Sequence, residues 1–278
     1  MLALMDGDIL LYSAGYASER PVYQVYVDGE ETPLHSFTYH RQLMDWISSC
    51  DQSFLDTLEI LELREAEPVQ LAYYNMDMMI KNIVDKTKAT EIIILLSGKT
   101  NFREEVATIA EYKGTRDRTK KPVHYDALKG YIKSKYPYEV SVNEEADDLL
   151  GIKATQLNKK GIDAIICTKD KDLNMIPGWH FNMNKDKMVY IDPIEAIKFF
   201  YTQLLTGDQT DNIKGVKNIG KVRAAKLLED LDDEVDLYNA VYEKYVQVYG
   251  EDAYKVLFEN AQLLWIRRQE NEIWSPPA

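Results

Sequence analysis

The sequence predicts an α/β protein whose mainly parallel central sheet is flanked by helices and followed by a smaller helical region. Three short apolar runs, Leu2–Met5, Ile92–Leu96 and Ile162–Cys167, each end at polar residues, a pattern typical of buried parallel strands. Helical patterns separate the runs, and strands that alternate with helices favour a parallel sheet. From about residue 194 the pattern is helical throughout.

The remaining elements follow from periodicity and turn residues. Residues 21–37 alternate around Asp28 and Gly29 and predict a hairpin, and residues 179–191 predict a second one that turns near 184–186. Helical patterns cover about 40–64, 67–87, 102–112 and 145–158. We therefore predict an α/β core over residues 1–193 and a helical region over residues 194–278.

Composition narrows the class of protein. A chain of 278 residues with 45% hydrophobic residues suits one α/β domain with an appendage. Its apolar runs fall short of the roughly 20 residues of a membrane span, and Asp6 and Asp8 interrupt the N-terminal one, which excludes a signal peptide. Cys50 and Cys167 lack metal-ligand spacing, which indicates free thiols in a reducing cytoplasm and no zinc site.

The net charge of −13 argues by itself against a nucleic-acid partner, because phosphate binding needs lysine and arginine. The distribution of the charges changes that conclusion. Acids collect at the ends of predicted strands and at one helix start, while bases collect at 113–121 and 212–228. The second basic stretch contains no acid and includes glycines, which let backbone N–H groups approach phosphates.

Acidic residues follow two predicted strands and open one predicted helix. Asp6 and Asp8 follow the first strand, Asp170 and Asp172 the third, and the string Glu-Ala-Asp-Asp at 145–148 begins the helix. A fourth group, Asp208 and Asp211, lies in the string 207–211. Turn preference or the helix macrodipole explains each group taken alone.

Together, the acids predict a metal site. The carboxyl ends of parallel strands share one edge of a sheet, where ligands bind. Carboxylates gathered there repel one another unless cations neutralise them. Oxygen ligands without histidine or cysteine favour Mg²⁺ or Mn²⁺, and paired ions are the usual arrangement for phosphodiester cleavage.

In this order, the motifs resemble the 5′-nuclease superfamily, which includes flap endonucleases, the 5′-nuclease domain of bacterial DNA polymerase I and phage 5′→3′ exonucleases. The motifs are Asp6-Gly7, Tyr112 to Arg116, Glu145 to Asp148, Asp170 to Asp172 and 207–212, and the resemblance spans about residues 2–228. The compact chain looks most like a stand-alone phage exonuclease. The resemblance implies a PIN-like core and, at 212–228, a helix–three-turn–helix.

The resemblance also implies roles for individual residues. Lys113 and Arg116 would stabilise charge on the scissile phosphate, and Tyr112 would stack on a terminal base, with ordinary packing of Tyr112 as an open alternative. The metals, two Mg²⁺ or Mn²⁺ ions, would be held by Asp6, Glu145, Asp147, Asp148, Asp170, Asp172, Asp208 and Asp211. DNA would be contacted by Tyr112, Arg118, Lys120, Lys121, Lys214, Gly215, Lys217, Gly220, Lys221 and Arg223. The helix–three-turn–helix would also bind K⁺ through backbone carbonyls.

One position departs from the family. Relatives usually carry an additional Asp after the second strand, where this chain has Ser97. Either Asp8 compensates for the missing acid or one metal is held more weakly. The stretch between Lys113 and Glu145 is short and interrupted by Pro122 and Pro137, so an arch for threading a 5′ end would be short as well.

The implied activity is a 5′→3′ exonuclease with 5′-flap endonuclease activity. Its partners would be nicked, 5′-ended or flapped DNA, with RNA–DNA hybrid as a further substrate, in replication or repair. The expected protein is a monomer without a membrane partner, located in the cytoplasm, which is the host's if a phage encodes the chain.

Two alternatives remain open. A haloacid-dehalogenase-type phosphatase needs an Asp-x-Asp motif, a Ser or Thr and a late Gly-Asp motif, which Asp6, Asp8, Ser97 and 207–211 imitate. Its late acids should follow a buried strand, whereas 199–205 continues a helical pattern. The second alternative is a non-catalytic DNA-structure-binding protein, against which the nearly complete acid set argues.

Overall fold

The computed structural model describes residues 1–115 and 121–278, so the predictions for Arg116, Arg118 and Lys120 lie outside the described residues. The chain divides into two compact units. Unit 1 comprises Met1–Leu10, Lys81–Lys120 and Lys135–Ala278, and unit 2 comprises Leu11–Ile80 and Lys121–Ser134. The two units are defined by contacts between residues and do not test the predicted boundary after residue 193, which stays a prediction. Over the two described stretches, no helix is both long and apolar enough to cross a membrane.

The strands are β1 (Leu2–Asp6), β2 (Glu19–Val27), β3 (His35–Phe37), β4 (Leu58–Ala66), β5 (Glu91–Leu96), β6 (Tyr138–Val140), β7 (Ala164–Thr168), β8 (Gly178–Asn182), β9 (Lys187–Ile191), β10 (Gly207–Asp208) and β11 (Ile213–Lys214). The helices are α1 (Gly7–Tyr16), α2 (His40–Ile47), α3 (Gln52–Leu55), α4 (Val69–Thr87), α5 (Arg103–Val106), α6 (Tyr125–Lys135), α7 (Ala146–Lys159), α8 (Pro193–Thr206), α9 (Lys221–Leu228), α10 (Glu234–Tyr249) and α11 (Ala253–Leu264), with short 3-10 turns at Asp172–Met175 and Gly250–Asp252.

A six-stranded sheet forms the centre of unit 1, in the order β6-β5-β1-β7-β8-β9. All neighbouring pairs are parallel except β8 and β9, which form the predicted second hairpin. The three predicted apolar strands are β5, β1 and β7, side by side, and Ala3, Leu4 and Met5 of β1 have no exposed surface. The predicted α/β class is confirmed.

The strand register brings polar residues to one edge of this sheet. Asp6 is paired with Leu95, one residue before the end of β5, and Met5 is paired with Cys167, one residue before the end of β7. The chain enters α1 directly after Asp6, which requires a glycine. A Cβ on Gly7 would lie 2.5 Å from the carbonyl oxygen of Leu95. The close approach therefore fixes the start of α1 against β5.

Helices α8 to α11 pack with the sheet around one hydrophobic core that includes Phe200, Tyr201, Leu237, Tyr245 and Leu257. As predicted, the region after 194 is mainly helical, with α8 to α11, the two-residue strands β10 and β11, and no helix over 265–278. The predicted helix at 102–112 is wrong beyond α5. Residues 108 and 109 instead donate their backbone N–H groups to the carboxylate of Glu259 on α11, and this tertiary contact replaces helical hydrogen bonds.

Unit 2 contains a three-stranded antiparallel sheet in the order β3-β2-β4. The predicted hairpin at 21–37 is confirmed as β2 and β3, turning at Asp28 and Gly29. The predicted helix at 40–64 is wrong in its second half. The structure has α2 and α3 there, followed by β4, which pairs with β2 along its whole length from Leu58 to Ala66. Cross-strand pairing therefore prevails over the local helical pattern.

Candidate active site

Asp6 occupies the centre of the acidic edge. Only 2% of the residue is exposed, and its carboxylate accepts hydrogen bonds from the backbone N–H of Ile9 at 3.0 Å and from the Thr168 hydroxyl at 2.7 Å. Burial, together with the charges of Asp8 and Asp170, raises the pKa of Asp6 to about 7 despite these hydrogen bonds. A carboxylate in this environment is stabilised by a nearby cation.

The start of α7 brings two further acids to Asp6. Glu145 is the N-cap of α7, and Asp147 lies in its first turn, where the helix dipole favours negative charge. Burial, followed by the charges of Asp6, Asp170 and Glu145, raises the pKa of Asp147 well above its usual range. The described part of the chain provides no hydrogen-bond donor or ion-pair partner within contact of the Asp147 carboxylate.

The acids of this edge fit a divalent cation by donor type and charge, but they do not form a preformed metal site. Within the described stretches, no three Asp, Glu, His or Cys side chains are placed so that they could hold one metal ion. What the structure shows is an electrostatic cluster whose members repel one another: Asp6, Asp8, Glu145, Asp147 and Asp170. Oxygen donors with unrelieved negative charge favour Mg²⁺ or Mn²⁺ over softer metals.

A second acidic pair, Asp172 and Asp208, is bridged by a lysine. The Lys171 ammonium donates to Asp172 at 2.6 Å and to Asp208 at 3.2 Å. Burial and the charge of Asp170 raise the pKa of Asp172 even so. Burial opposes ionisation of Asp208 as well, but Lys171 and the N–H of Thr210 outweigh it and lower the pKa of Asp208.

The hairpin β10–β11 holds Asp208 and Asp211, and two glycines allow its close packing. Gly207 has a φ of +68°, and a Cβ there would lie 2.3 Å from the backbone nitrogen of Gly215. A Cβ on Gly215 would lie 2.4 Å from the carbonyl oxygen of Leu205. The glycine in the predicted phosphate-binding loop is thus required for packing, whatever its role towards DNA.

Asp148 is not part of the acidic cluster. It has no exposed surface, and its two oxygens accept from the Arg103 guanidinium at 2.5 and 2.9 Å. The backbone N–H groups of Glu145 and Arg267 also donate to Asp148, at 3.1 and 3.0 Å. Burial alone would raise the pKa of Asp148, but Arg103 lowers it. This carboxylate is fully used by the protein, which argues against the predicted metal ligand at this position.

Tyr112 and Lys113 are held against the same edge. The Tyr112 ring is buried in the core, and its hydroxyl donates to Glu145 and to Asp211, each at 3.0 Å. Packing is therefore the alternative that the structure favours for Tyr112. Lys113 has a φ of +55°, its ammonium is paired with Glu145, and its backbone N–H donates to the carbonyl of Asp211 at 3.0 Å.

Ser97 stands where relatives carry an acid, and Asp8 reaches it. The backbone N–H of Ser97 donates to Asp8 at 3.2 Å, and the Ser97 hydroxyl accepts from the N–H of Ala146 at 2.9 Å. The position after β5 therefore links α1 to the start of α7. Asp8 brings a carboxylate to the end of β5, which is the first of the two possibilities raised by the sequence.

The basic segment at 212–228 contains the end of the hairpin, a turn and α9. Gly220 is the N-cap of α9, and a Cβ there would meet no atom within 4 Å. The basic side chains are all exposed: Lys214, Lys217, Lys221, Arg223 and Lys226. The carbonyls of Lys214 and Gly215 accept from Asn260 at 2.8 Å and from Tyr249 at 2.9 Å, so these two oxygens already have partners.

In unit 2, the Lys121 ammonium lies 4.6 Å from the centre of the Tyr125 ring.

Three residues beside the acids were not predicted to belong to the site. Thr168 binds Asp6, Lys171 bridges the second acidic pair, and the Gln203 amide donates to Asp172 at 2.7 Å. Lys171 lies between Asp170 and Asp172, and Thr168 precedes Asp170 by two residues, so the neighbourhood of both was visible in the sequence. Gln203 gives no such signal, because it lies in the last turn of α8 and only the packing of α8 brings it to Asp172.

Comparison with known proteins identifies the family. The family model for the 5′-3′ exonuclease N-terminal resolvase-like domain matches residues 40–200, more than half of the chain. The chain belongs to this family, and the predicted resemblance to the 5′-nuclease superfamily is confirmed. Among its relatives, DNA polymerase I of Bacillus caldotenax is 31% identical over 177 residues, which are 56% of this chain and 20% of that protein. The 5′-3′ exonuclease of Buchnera aphidicola is 29% identical over 187 residues, 61% of this chain and 63% of that protein. The chain thus matches about a fifth of the length of the polymerase.

Solved structures share the fold. The 5′-exonuclease of bacteriophage T5 with bound zinc ions has a TM-score of 0.58 at 18% identity, covering 95% of this chain and 88% of that one. The T5 flap endonuclease in complex with DNA and metal ions has a TM-score of 0.57 at 18% identity, with the same coverage. At this identity the likeness shows the fold alone.

Proposed function

We propose that this chain is a divalent-metal-dependent 5′-nuclease that hydrolyses phosphodiesters in DNA at 5′ ends, nicks and 5′ flaps. The observation that carries the proposal is the convergence of Asp6, Asp147 and Asp170 at the carboxyl edge of a parallel sheet, where mutual repulsion and burial raise two of their pKa values. Family membership and the T5 structures, which contain metal ions and in one case DNA, support it.

The acids would hold the metal directly or through waters. One group is Asp6, Glu145, Asp147 and Asp170, and the other is Asp172 and Asp208 with Asp211 beside them. A bound divalent ion supplies two effects in such sites: it lowers the pKa of a coordinated water and it neutralises charge on the phosphate. Asp148 is left out of the proposed set because Arg103 already neutralises it.

The chain's own residues position the substrate and the proposed ligands. Thr168 and the N–H of Ile9 fix both oxygens of Asp6, and Tyr112 fixes Glu145 relative to Asp211. Lys113 is a cation beside these acids that a phosphate could recruit, because it is partly exposed and, among the described residues, paired with one carboxylate. A phosphate that draws Lys113 away from Glu145 would gain a positive charge beside the cleaved bond. Arg116 is proposed for the same task on the strength of the family motif.

The basic segment would bind the duplex backbone. The segment 213–228 contains five exposed basic residues and no acidic residue, although the chain as a whole carries a net charge of −13. The free N-terminus of α9 at Gly220 adds backbone N–H groups, which favour an anion. These contacts are independent of sequence and sensitive to salt, as a structure-specific nuclease requires.

The test follows a nicked duplex and a 5′-flap duplex, each labelled at both strand ends, with Mg²⁺ and with EDTA. The expected result is Mg²⁺-dependent release of mono- or short oligonucleotides from the 5′ side with a 5′-phosphate on the product. Product lengths separate exonuclease from flap cleavage. Parallel substrates with an RNA strand measure the preference between DNA and RNA–DNA hybrid.

Asp147→Asn is the diagnostic variant, and Glu251→Gln, an exposed acid after α10, is its matched control. Asp147→Asn should abolish cleavage and leave binding of the flap duplex unchanged in a mobility-shift assay, while the control cleaves like the parent. Binding without cleavage by the parent protein itself, in Mg²⁺ and in Mn²⁺, would instead establish the non-catalytic alternative.

The phosphatase alternative loses its main support. Its late acids should follow a buried strand, whereas Gly207 and Asp208 directly follow helix α8. Hydrolysis of p-nitrophenyl phosphate without cleavage of either DNA would revive it.

A further inference from the structure

Strand β4 in unit 2 is an edge strand of unusual character. It is nine residues long and pairs with β2 on one side, and the sheet order β3-β2-β4 places no described strand on its other side. In an antiparallel ladder, every second residue of such a strand turns its N–H and C=O away from its only neighbour. A row of unpaired backbone groups is a template for another strand.

Several of the usual protections of an edge strand are missing from β4, although it does carry the charged residues Glu59, Glu62, Arg64 and Glu65. Natural edges are short, bulged, or carry lysine or proline, which discourage pairing. The register of β4 with β2 is continuous from Leu58 to Ala66, without a bulge, and the strand contains neither proline nor lysine. It instead exposes three large aliphatic side chains, Ile60, Leu61 and Leu63, by 42%, 38% and 42%.

The charge around this edge is acidic. Glu59 and Glu62 are exposed, and the two nearby arginines are already paired, Arg20 with Glu65 at 3.0 Å and Arg64 with Glu19 at 3.7 Å. The acidic turn of Asp28, Glu30 and Glu31 adjoins the start of β4 through a hydrogen bond from the N–H of Asp28 to the carbonyl of Thr57 at 2.9 Å. An occupant of this edge therefore needs positive charge together with aliphatic side chains.

We propose that the outer edge of β4 binds an extended basic segment of another protein, which adds as a fourth strand to the β3-β2-β4 sheet. The main-chain ladder would supply the affinity, and alternating lysine and aliphatic side chains would meet Glu62 on one face and Leu61 and Leu63 on the other. A second copy of this chain paired antiparallel along the full strand, centred on Glu62, would oppose Glu59 to Glu65 and Glu62 to itself, which disfavours that arrangement.

The test uses the full chain and a fluorescein-labelled heptapeptide in which lysine and valine alternate, with binding followed by fluorescence anisotropy. A second peptide with the same side chains is methylated on every backbone nitrogen and so keeps the charge without the N–H donors. The expected result is binding of the first peptide and at least tenfold weaker binding of the second. Equal binding of both peptides would reduce the interaction to charge alone and overturn the proposal.

The variants locate the site. The double change Leu61→Lys and Leu63→Lys should weaken binding of the first peptide at least tenfold. The matched control changes Leu71→Lys and Met78→Lys, which are comparably exposed on α4 of the same unit, and should bind like the parent. Unchanged thermal unfolding verifies that both variants fold, so the result does not depend on the proposed nuclease. Two further outcomes would overturn the proposal: no binding of the first peptide by the parent, or parent dimers in sedimentation that the double change abolishes.

Discussion

Asp147 and Asp148 are neighbours in the sequence, but the structure predicts opposite effects of neutralising them. Asp148→Asn leaves the Arg103 guanidinium, which is 2% exposed, without its counter-charge. Breaking a buried ion pair from one side costs about 3–5 kcal/mol of folding free energy. For a chain of this size each kcal/mol lowers Tm by about 2–4 °C, so a loss on the order of 10 °C is expected.

Asp147→Asn should leave the stability unchanged or increase it. The pKa of Asp147 is raised in the folded protein, so the ionised carboxylate is disfavoured there at every pH above its unfolded value, and asparagine removes that penalty. For Asp148 the pKa is lowered, so its contribution is present at neutral pH and is lost only as the pH falls through the lowered pKa.

The assay is thermal unfolding in EDTA at pH 7.5, followed by circular dichroism, alongside cleavage of the flap duplex at 20 °C in Mg²⁺. Asp147→Asn should unfold at or above the parent Tm and be inactive, while Asp148→Asn should unfold earlier and keep measurable cleavage. If both variants lower Tm equally, or if Asp148→Asn is stable and inactive, the assignment of one acid to the structure and the other to the site is refuted.

Three other predictions concern the same edge and the basic segment. In EDTA, the stability of the parent relative to Asp6→Asn should fall as the pH rises from about 4 to about 7, by roughly 4 kcal/mol in total, because only the folded state keeps the Asp6 proton over that range; urea titrations at several pH values measure this, and a pH-independent difference would contradict it. Gln203→Leu should change Tm little, because the buried Gln203 Oε1 has no hydrogen-bond partner in the described residues. It should slow cleavage roughly tenfold, because it removes a hydrogen-bond donor to Asp172. Single-turnover rates test this, and an unchanged rate would exclude a positioning role. Lys217→Ala with Lys221→Ala should lower the slope of log K against log salt for duplex binding by about 2; an unchanged slope would place the DNA elsewhere.

The sequence predicted the strands whose residues are buried, and it failed where contacts between residues distant in the chain select the local structure. The strands β1, β5 and β7 are apolar because both faces of a parallel sheet are covered, and this composition is visible locally. In β4, leucines three residues apart at 58 and 61 also suit a helix, and only pairing with β2 selects the strand. The loop at 108–109 is likewise set by Glu259, 151 residues away from Thr108.

The candidate site shows the same division. Its acid groups were predictable because turn and cap residues mark the ends of strands and the starts of helices in the sequence. The sequence did not reveal which acid of the string 145–148 faces the site, because consecutive residues of a helix point about 100° apart. The rotation of α7 is fixed by Arg103, whose guanidinium also donates to the carbonyls of Leu263 and Trp265 at 2.8 and 2.7 Å. Nothing near residue 148 in the sequence reveals that partner.

The carboxylate of Glu259 has a consequence for synthesis on the ribosome. Glu259 is 7% exposed and holds the backbone of the loop that leads to Lys113, and α11 also carries the carbonyl that anchors Arg103 beside α7. At about 5–20 residues per second, α11 emerges roughly 10–30 s after that loop. Once residue 211 has been made, the growing chain contains every proposed acid but still lacks the support that Glu259 gives to the loop leading to Lys113. Under the proposed function, a nascent chain would therefore complete its candidate site only when α11 docks.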